Sequence, residues 1–214
     1  WLQLVHRDDR RSMREHFYRD VLEKRGAFDR EYRALRPVDG RVVWVHGTGR
    51  LDLDGDGRPV RLRGTVQDVS ARRIADERLQ LAEEVFLNAT EGLVVTDRAG
   101  SIIEINPAFT RITGYAADEI RGKSVRILNS DASDEALYAQ FRNALETTGR
   151  WDGECANRRQ DGSTYVQHSR VFAIRDRRGG IVRFAAVISD ITAIKESQRR
   201  LEYLAYYDEL TGLP

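Results

Sequence analysis

The side chains best suited to holding a small molecule lie close together, on residues 151–158. Strand alternation puts Trp151, Gly153, Cys155 and Asn157 on one face of that stretch. An indole can stack on a flat ring, and a carboxamide can hydrogen-bond a ring's polar edge. Other reactive types are scattered. His6, Asp8 and Asp9 are metal-ligand types within four positions, but adjacent carboxylates at a helix start are explained by the helix dipole, and no metal is expected. His168 stands alone in mid-strand, an ordinary place for a surface or core histidine. Cys155 is the single cysteine, which rules out an intrachain disulfide, suits a reducing compartment and reads as a half-buried thiol. No set of residues here forms a catalytic constellation.

An internal repeat lays out the elements that must position these residues. Residues 26–79 recur 122 residues later: Asp39-Gly40 returns as Asp161-Gly162, His46 as His168, and Asp68-Val69-Ser70 as Asp190-Ile191-Thr192. With one residue of slip, Gly26, Phe28 and Glu31 match Gly149, Trp151 and Glu154. A repeat this long fits a duplicated domain and exceeds a solenoid unit. The second copy predicts strands over 92–96 and 101–105, then a short helix opened by Asn106-Pro107 and stopped by Gly114. A longer helix from Ser133 carries Leu137, Phe141 and Leu145 on one face. Strands over 151–158, 163–174 and 181–189 follow, then a helix from Thr192 to Tyr206. The first copy enters this order only at its long helix, 11–24, with strands over 28–36, 41–53 and 60–67 and a helix from Ser70 to Ala89. The predicted class is α+β: a five-stranded antiparallel sheet with helices on one face, in two copies joined by a helix, the first copy incomplete. The corresponding division is 1–70 for the first copy, 71–84 for the connector, 85–191 for the complete copy, 192–207 for a following helix and 208–214 for the start of something further.

Composition narrows the function. The chain of 214 residues is 41% hydrophobic and 32% charged, with a net charge of +1, which gives no electrostatic case for nucleic acid. Only three of its 35 basic residues are lysines. No apolar run approaches the length that spans a bilayer, so no membrane segment is expected within these residues and a cytoplasmic location is.

The ordered motifs resemble the PAS family of sensor domains. Asn106-Pro107-Ala108-Phe109, Thr113-Gly114-Tyr115, Gly122-Lys123, Asn157-Arg158-Arg159-Gln160-Asp161-Gly162 and Asp190-Ile191-Thr192 carry the resemblance over the second copy. The first copy resembles the later, PAC half of such a domain through Glu31-Tyr32-Arg33, Asp39-Gly40, Trp44-Val45 and Asp68-Val69-Ser70. The closing octet, Tyr207-Asp208-Glu209-Leu210-Thr211-Gly212-Leu213-Pro214, resembles the start of a GGDEF domain, the diguanylate cyclase module that makes cyclic di-GMP. That family's metal-binding carboxylates are not among these residues, so no cyclase chemistry is expected of them.

The resemblance implies a space between sheet and helices that holds flavin, haem or a small acid in some members. Haem members use a histidine on the long helix; the stretch 133–145 has none, and haem is not expected. Photosensing flavin members carry a cysteine where Val125 stands, so no flavin–cysteine adduct can form. For a redox-sensing flavin member, Trp151 would stack on the isoalloxazine and Asn157 would bond its pyrimidine edge. Against this, Ile188 stands where flavin members often place a glutamine. The plainer expectation is a packed core around Trp151 with no cofactor; FAD or another flavin is the alternative, and an unknown small ligand a third.

Both copies end in Asp-hydrophobic-Ser/Thr and run straight into a helix. Ser70 and Thr192 read as N-caps, with Asp68 paired to Arg72 or Arg73 and Asp190 to Lys195, so that the sheet sets the helix direction. In the connector Leu79 and Phe86, and in the last helix Ile194, Leu201 and Leu204, follow heptad-like spacing that suggests a homodimer. The expected function is a sensory tandem that dimerises and controls a downstream diguanylate cyclase. The rival expectations are a flavin-bearing redox sensor and a cofactor-free dimerisation scaffold.

Overall fold

The computed structural model describes residues 1–129 and 135–206. The expected helix start at Ser133 and the GGDEF-like octet 207–214 lie outside the described residues, as do the side chains of Leu137 and Leu204. The chain divides after Ala82 into two compact units, each considered by itself.

In the first unit, α1 (Arg10–His16) runs on as a π-helical stretch, Phe17–Glu23, where a single α-helix was expected. Gly26 closes it. Its N–H donates to the Asp20 carbonyl at 3.0 Å, and a Cβ at this position would lie 2.7 Å from that oxygen. Strands β1 (Phe28–Leu35), β2 (Val42–Leu53) and β3 (Pro59–Asp68) form an antiparallel sheet in that order. Val5, Met13, Val21, Phe28, Tyr32 and Val45 make its core. The expected role of Asp9 at the helix dipole gives way to a side-chain clamp. Its carboxylate accepts from Nη2, Nε and the backbone N–H of Arg33 at 2.5–3.0 Å, and the guanidinium holds Asp9 below the usual carboxylate range. All ten residues of β3 are exposed. Helix α2 (Ser70–Asn88) follows, with no buried residue.

The second unit opens with β4 (Gly92–Asp97) and β5 (Ile102–Ile105). Helices α3 (Pro107–Thr113) and α4 (Ala117–Ile120), a 3-10 turn at Val125–Leu128 and α5 (Glu135–Thr147) come next. Then β6 (Arg150–Arg158), β7 (Thr164–Arg175) and β8 (Ile181–Asp190) lead into α6 (Thr192–Tyr206). The sheet order is β5-β4-β8-β7-β6, all neighbours antiparallel, as the sequence predicts for the complete copy.

One side chain ties its N-terminal half together. Asn106, 1% exposed, uses both ends of its amide. Oδ1 accepts from the Leu93 N–H at 2.8 Å and from the Phe109 N–H at 2.9 Å, the second bond capping α3. Nδ2 donates to the Phe86 and Glu91 carbonyls at 3.2 and 3.0 Å. Pro107 sits in the first turn, and Gly114, at φ 81°, ends the helix in the left-handed region. Phe109, Ile120 and Leu128 then seat on Val94, Ile102, Ile105 and Ile188.

Candidate functional site

The inner face of the second sheet carries small or polar residues where a core would carry large ones. Cys155 on β6, Ser169 on β7 and Ala186 on β8 leave room beneath α5, and Gly153 on β6 lets the Trp151 indole lie across it. The result is a cavity of about 830 Å³, covered by Leu128, Phe141 and Leu145 and floored by Val94, Val171 and Ile188. That is well within the range of small-molecule sites, about 300–1,000 Å³. The expectation of a packed core around Trp151 is therefore corrected: Trp151 lines a cavity.

Alternation along β6 places Trp151, Cys155 and Asn157 on the cavity side as predicted. The indole meets Phe141 edge-on, with ring centroids 5.4 Å apart and planes at 75°. It lies back over Gly153, where a Cβ would come within 2.6 Å of Cζ2. Asn157 is buried at 4% exposure in a polar row the sequence reading missed, with Gln167 and Ser169 as its other members. Tyr165 Oη donates to Gln167 Oε1 at 2.6 Å, and Gln167 Nε2 donates to Ser169 Oγ at 2.6 Å. With its amide oriented to satisfy its neighbours, Asn157 donates to the Leu128 carbonyl and accepts from Gln167, each at 3.2 Å. Alternation along β7 could have found this row, because Tyr165, Gln167 and Ser169 are spaced by two. Burial pushes the Tyr165 phenol up to about 12, so it remains a donor at neutral pH. Burial also raises the Cys155 thiol, while a hydrogen bond with Ser169 opposes the shift. Arg98, Arg126 and Arg142 border the same cavity, as do Glu146, which pairs with Arg142 at 3.5 Å, and Glu154, which pairs with Lys195 at 2.7 Å.

The junctions differ from the expected pairing. Neither hydroxyl caps its helix. Ser70 Oγ accepts from the Trp44 N–H at 2.9 Å, and Thr192 Oγ1 accepts from the Val166 N–H at 3.0 Å. Each strand ladder is thereby extended past its last pair, alongside Val69 N–H to Trp44 and Ile191 N–H to Val166, both 2.9 Å. The aspartates bond the helix start instead: Asp68 Oδ1 accepts from the Ser70 N–H and Asp190 Oδ1 from the Thr192 N–H, both at 2.9 Å. Nor do the nearby bases pair with these aspartates. Arg72 faces Asp76, Arg73 reaches Glu31 on β1 at 3.6 Å, and Lys195 reaches Glu154 on β6 at 2.7 Å. Each helix is thus tied to the first strand of the three-stranded run before it, at equivalent positions in the two units. Asp190 pairs with Arg159 at 2.5 Å. Burial disfavours its ionised form, but donation from Thr192 and Arg159 outweighs this and keeps it below the usual carboxylate range.

The remaining sequence candidates are spread out. Leu79, Ile194 and Leu201 are exposed and Phe86 is half-buried. His168 sits on the outer face, 2.7 Å from Asp152, and His46 repeats the arrangement with Asp29 at 2.6 Å. Among the described residues no cluster of three or more His, Cys, Asp or Glu could hold a metal, and no helix is long and apolar enough to cross a membrane.

Residues 90–193 match a family model described as PAS domain, and residues 1–66 match one described as PAS fold. The chain belongs to the PAS family. The five-stranded sheet of the second unit lies within the first match, and the three-stranded sheet of the first unit overlaps the second. A solved PAS domain from Colwellia psychrerythraea superposes with a TM-score of 0.52 at 26% identity, over 54% of this chain and 98% of that one. Among curated relatives, a nitrogen fixation regulatory protein of Klebsiella oxytoca is 27% identical over 53% of this chain and 23% of its own length. The probable diguanylate cyclase DgcE of Escherichia coli is 25% identical over 100% of this chain and 20% of its own length. The chain spans about a fifth of the length of these two relatives. It is a PAS sensory region.

Proposed function

We propose that the second PAS domain is a ligand-dependent sensor that takes a flat heteroaromatic group of the flavin class, FAD or another flavin. The observation that carries this reading is the cavity of about 830 Å³, with an indole on one wall and a buried carboxamide row on the next. Trp151 offers the stacking surface. Asn157 and Gln167 offer donors and acceptors to the edge of a ring, exchanging the bonds they now make with each other for bonds to the ligand. Arg98 and Arg126 at its border suit a ligand that carries phosphate. When bound, a flavin supplies redox chemistry and absorption in the blue. With Val125 in place of a cysteine, the chain offers no thiol for an adduct from that position.

The test is the visible spectrum of freshly purified protein, before and after incubation with riboflavin, FMN and FAD followed by gel filtration. Flavin bands that co-elute with the protein are expected. A colourless protein after all three incubations would reject the flavin reading.

The output is a diguanylate cyclase module, controlled through α6 in a homodimer. Two observations support this: a probable diguanylate cyclase aligns along the whole chain, and the octet 207–214 resembles the opening of such a module. Leu79, Ile194 and Leu201, at 70%, 56% and 66% exposure, form apolar stripes on α2 and α6 that a second copy would cover. Sedimentation equilibrium should give a dimer in the micromolar range, weakened at least about tenfold by Leu79→Glu with Leu201→Glu. A monomer at every accessible concentration would remove the dimer from the mechanism.

A further inference from the structure

Three parts of the second unit meet at the guanidinium of Arg159, a residue in the turn between β6 and β7. Its Nη1 donates to the Ile112 carbonyl in the last turn of α3. Its Nη2 donates to Asp190 Oδ2 at 2.5 Å, and the other oxygen of that carboxylate accepts from the Thr192 hydroxyl and N–H at the start of α6. Its plane lies over the Tyr165 ring, 4.3 Å from the centroid. The Tyr165 hydroxyl is the outer end of the cavity's polar row, bonded to Gln167 and through it to Ser169 and Asn157. A continuous set of contacts therefore runs from the cavity wall to the first turn of α6, with one side chain as its middle link. The backbone fixes the same corner, since the Gln160 N–H donates to the Thr113 carbonyl at 2.9 Å.

The internal repeat supplies a comparison. The first unit keeps the junction residues Asp68 and Ser70, yet at the positions of Arg159, Tyr165 and Gln167 it has Pro37, Val43 and Val45. The strand–helix joint is common to both units, while the link from cavity to joint belongs to the second.

We propose that Arg159 is a positioning residue that couples the cavity's hydrogen-bond row to the direction of α6, so that only the second unit's cavity sets the output helix. The proposal rests on reading the cavity as the sensory site. A ligand that draws Gln167 toward itself takes the acceptor from Tyr165, the phenol ring turns, and the guanidinium loses its stacking face. Its hold on Asp190 then changes, leaving the carboxylate to Thr192 alone. The element with two arrangements is the Asp190 carboxylate, shared between Arg159 and Thr192 or held by Thr192 only.

Hydrogen exchange at the amides of residues 192–196 reads this state without any ligand. The experiment is a double-mutant cycle on the 214-residue protein with Gln167→Leu, Arg159→Gln and the pair, and with Arg159→Lys in case Arg159→Gln lowers overall stability. Gln167→Leu alone should change exchange in the first turn of α6. In the Arg159→Gln background the same change should shrink by about fivefold or more, a non-additivity typical of residues sharing one network. Arg159→Lys, which keeps the charge but not the flat face, should leave part of the response. Additive effects at α6 would overturn the proposal, because loss of a clamp that merely stabilises the corner shifts the protein by the same amount with or without Gln167→Leu. With FAD added, the unmodified protein should show the α6 change and Arg159→Gln should bind FAD within about threefold of normal without it. If FAD fails to bind, the flavin reading falls and the cycle still decides the coupling.

Discussion

If the cavity takes a flavin as proposed, Gly153→Val should all but remove flavin loading while leaving the domain folded. The indole of Trp151 lies across Gly153 so closely that a Cβ there would stand 2.6 Å from Cζ2 and 2.9 Å from Cη2. Valine suits a strand backbone, so the conflict lies between side chains alone. Phe141 blocks the indole on its far side, and the free direction is into the cavity. The substitution thus removes the stacking platform and fills the space it served. Loss of an aromatic contact worth about 1 kcal/mol, together with overlap with the ring, should lower affinity about a hundredfold or more. Fluorescence titration with FAD reads this, with circular dichroism to verify the fold. Undiminished binding by Gly153→Val would show that Trp151 is no part of the binding surface.

The largest effect on stability should come from Asn106→Ala. The substitution strands two N–H groups, those of Leu93 and Phe109, and two carbonyls, those of Phe86 and Glu91, around a site 1% exposed. Each buried group left without a partner costs about 1–3 kcal/mol, less whatever water or relaxation restores. A net loss of about 4 kcal/mol is expected, a large share of the 5–15 kcal/mol that holds a typical domain. Urea unfolding followed by fluorescence suits the measurement, since Trp151 is the one tryptophan beyond Ala82. A loss under about 1 kcal/mol would mean that the four bonds are replaced as easily as they are broken.

Local chemistry made much of this fold legible in the sequence. Asn106-Pro107 and Gly114 bound α3 because a cap, a fixed φ and a left-handed glycine are properties of single residues. The three long strands fell within a residue or two of their predicted ends because turn residues at 161–162 and 179–180 separate them. The cavity was not legible. Alternation identifies which residues face inward, but not whether α5 closes on the gap left by Cys155, Ser169 and Ala186. The junction pairs were misread because sequence neighbours were taken for spatial ones. Lys195 is five residues from Asp190, yet the helix turns it toward Glu154 on β6. Arg159 reaches Asp190 from 31 residues away because the β6–β7 turn folds back over the end of the sheet. The hydroxyls of Ser70 and Thr192 hold the standard capping chemistry, but each strand ends with one N–H still to be satisfied, and the hydroxyl serves that need.

Among the described residues β3 is an edge strand, which bears on how chains of these residues associate. In the second unit the equivalent strand, β8, lies between two neighbours; among the described residues β3 has one, and Val60, Leu62 and Val66 stand 63%, 39% and 65% exposed along it. A strand that offers both unsatisfied backbone and apolar side chains invites stacking of chain on chain. Pro59 at its start and the arginines at 58, 61 and 63 act as gatekeepers against that growth. Salt screens charge over about 10 Å at 0.1 M, so raising the ionic strength should favour association along this edge in a chain of these residues.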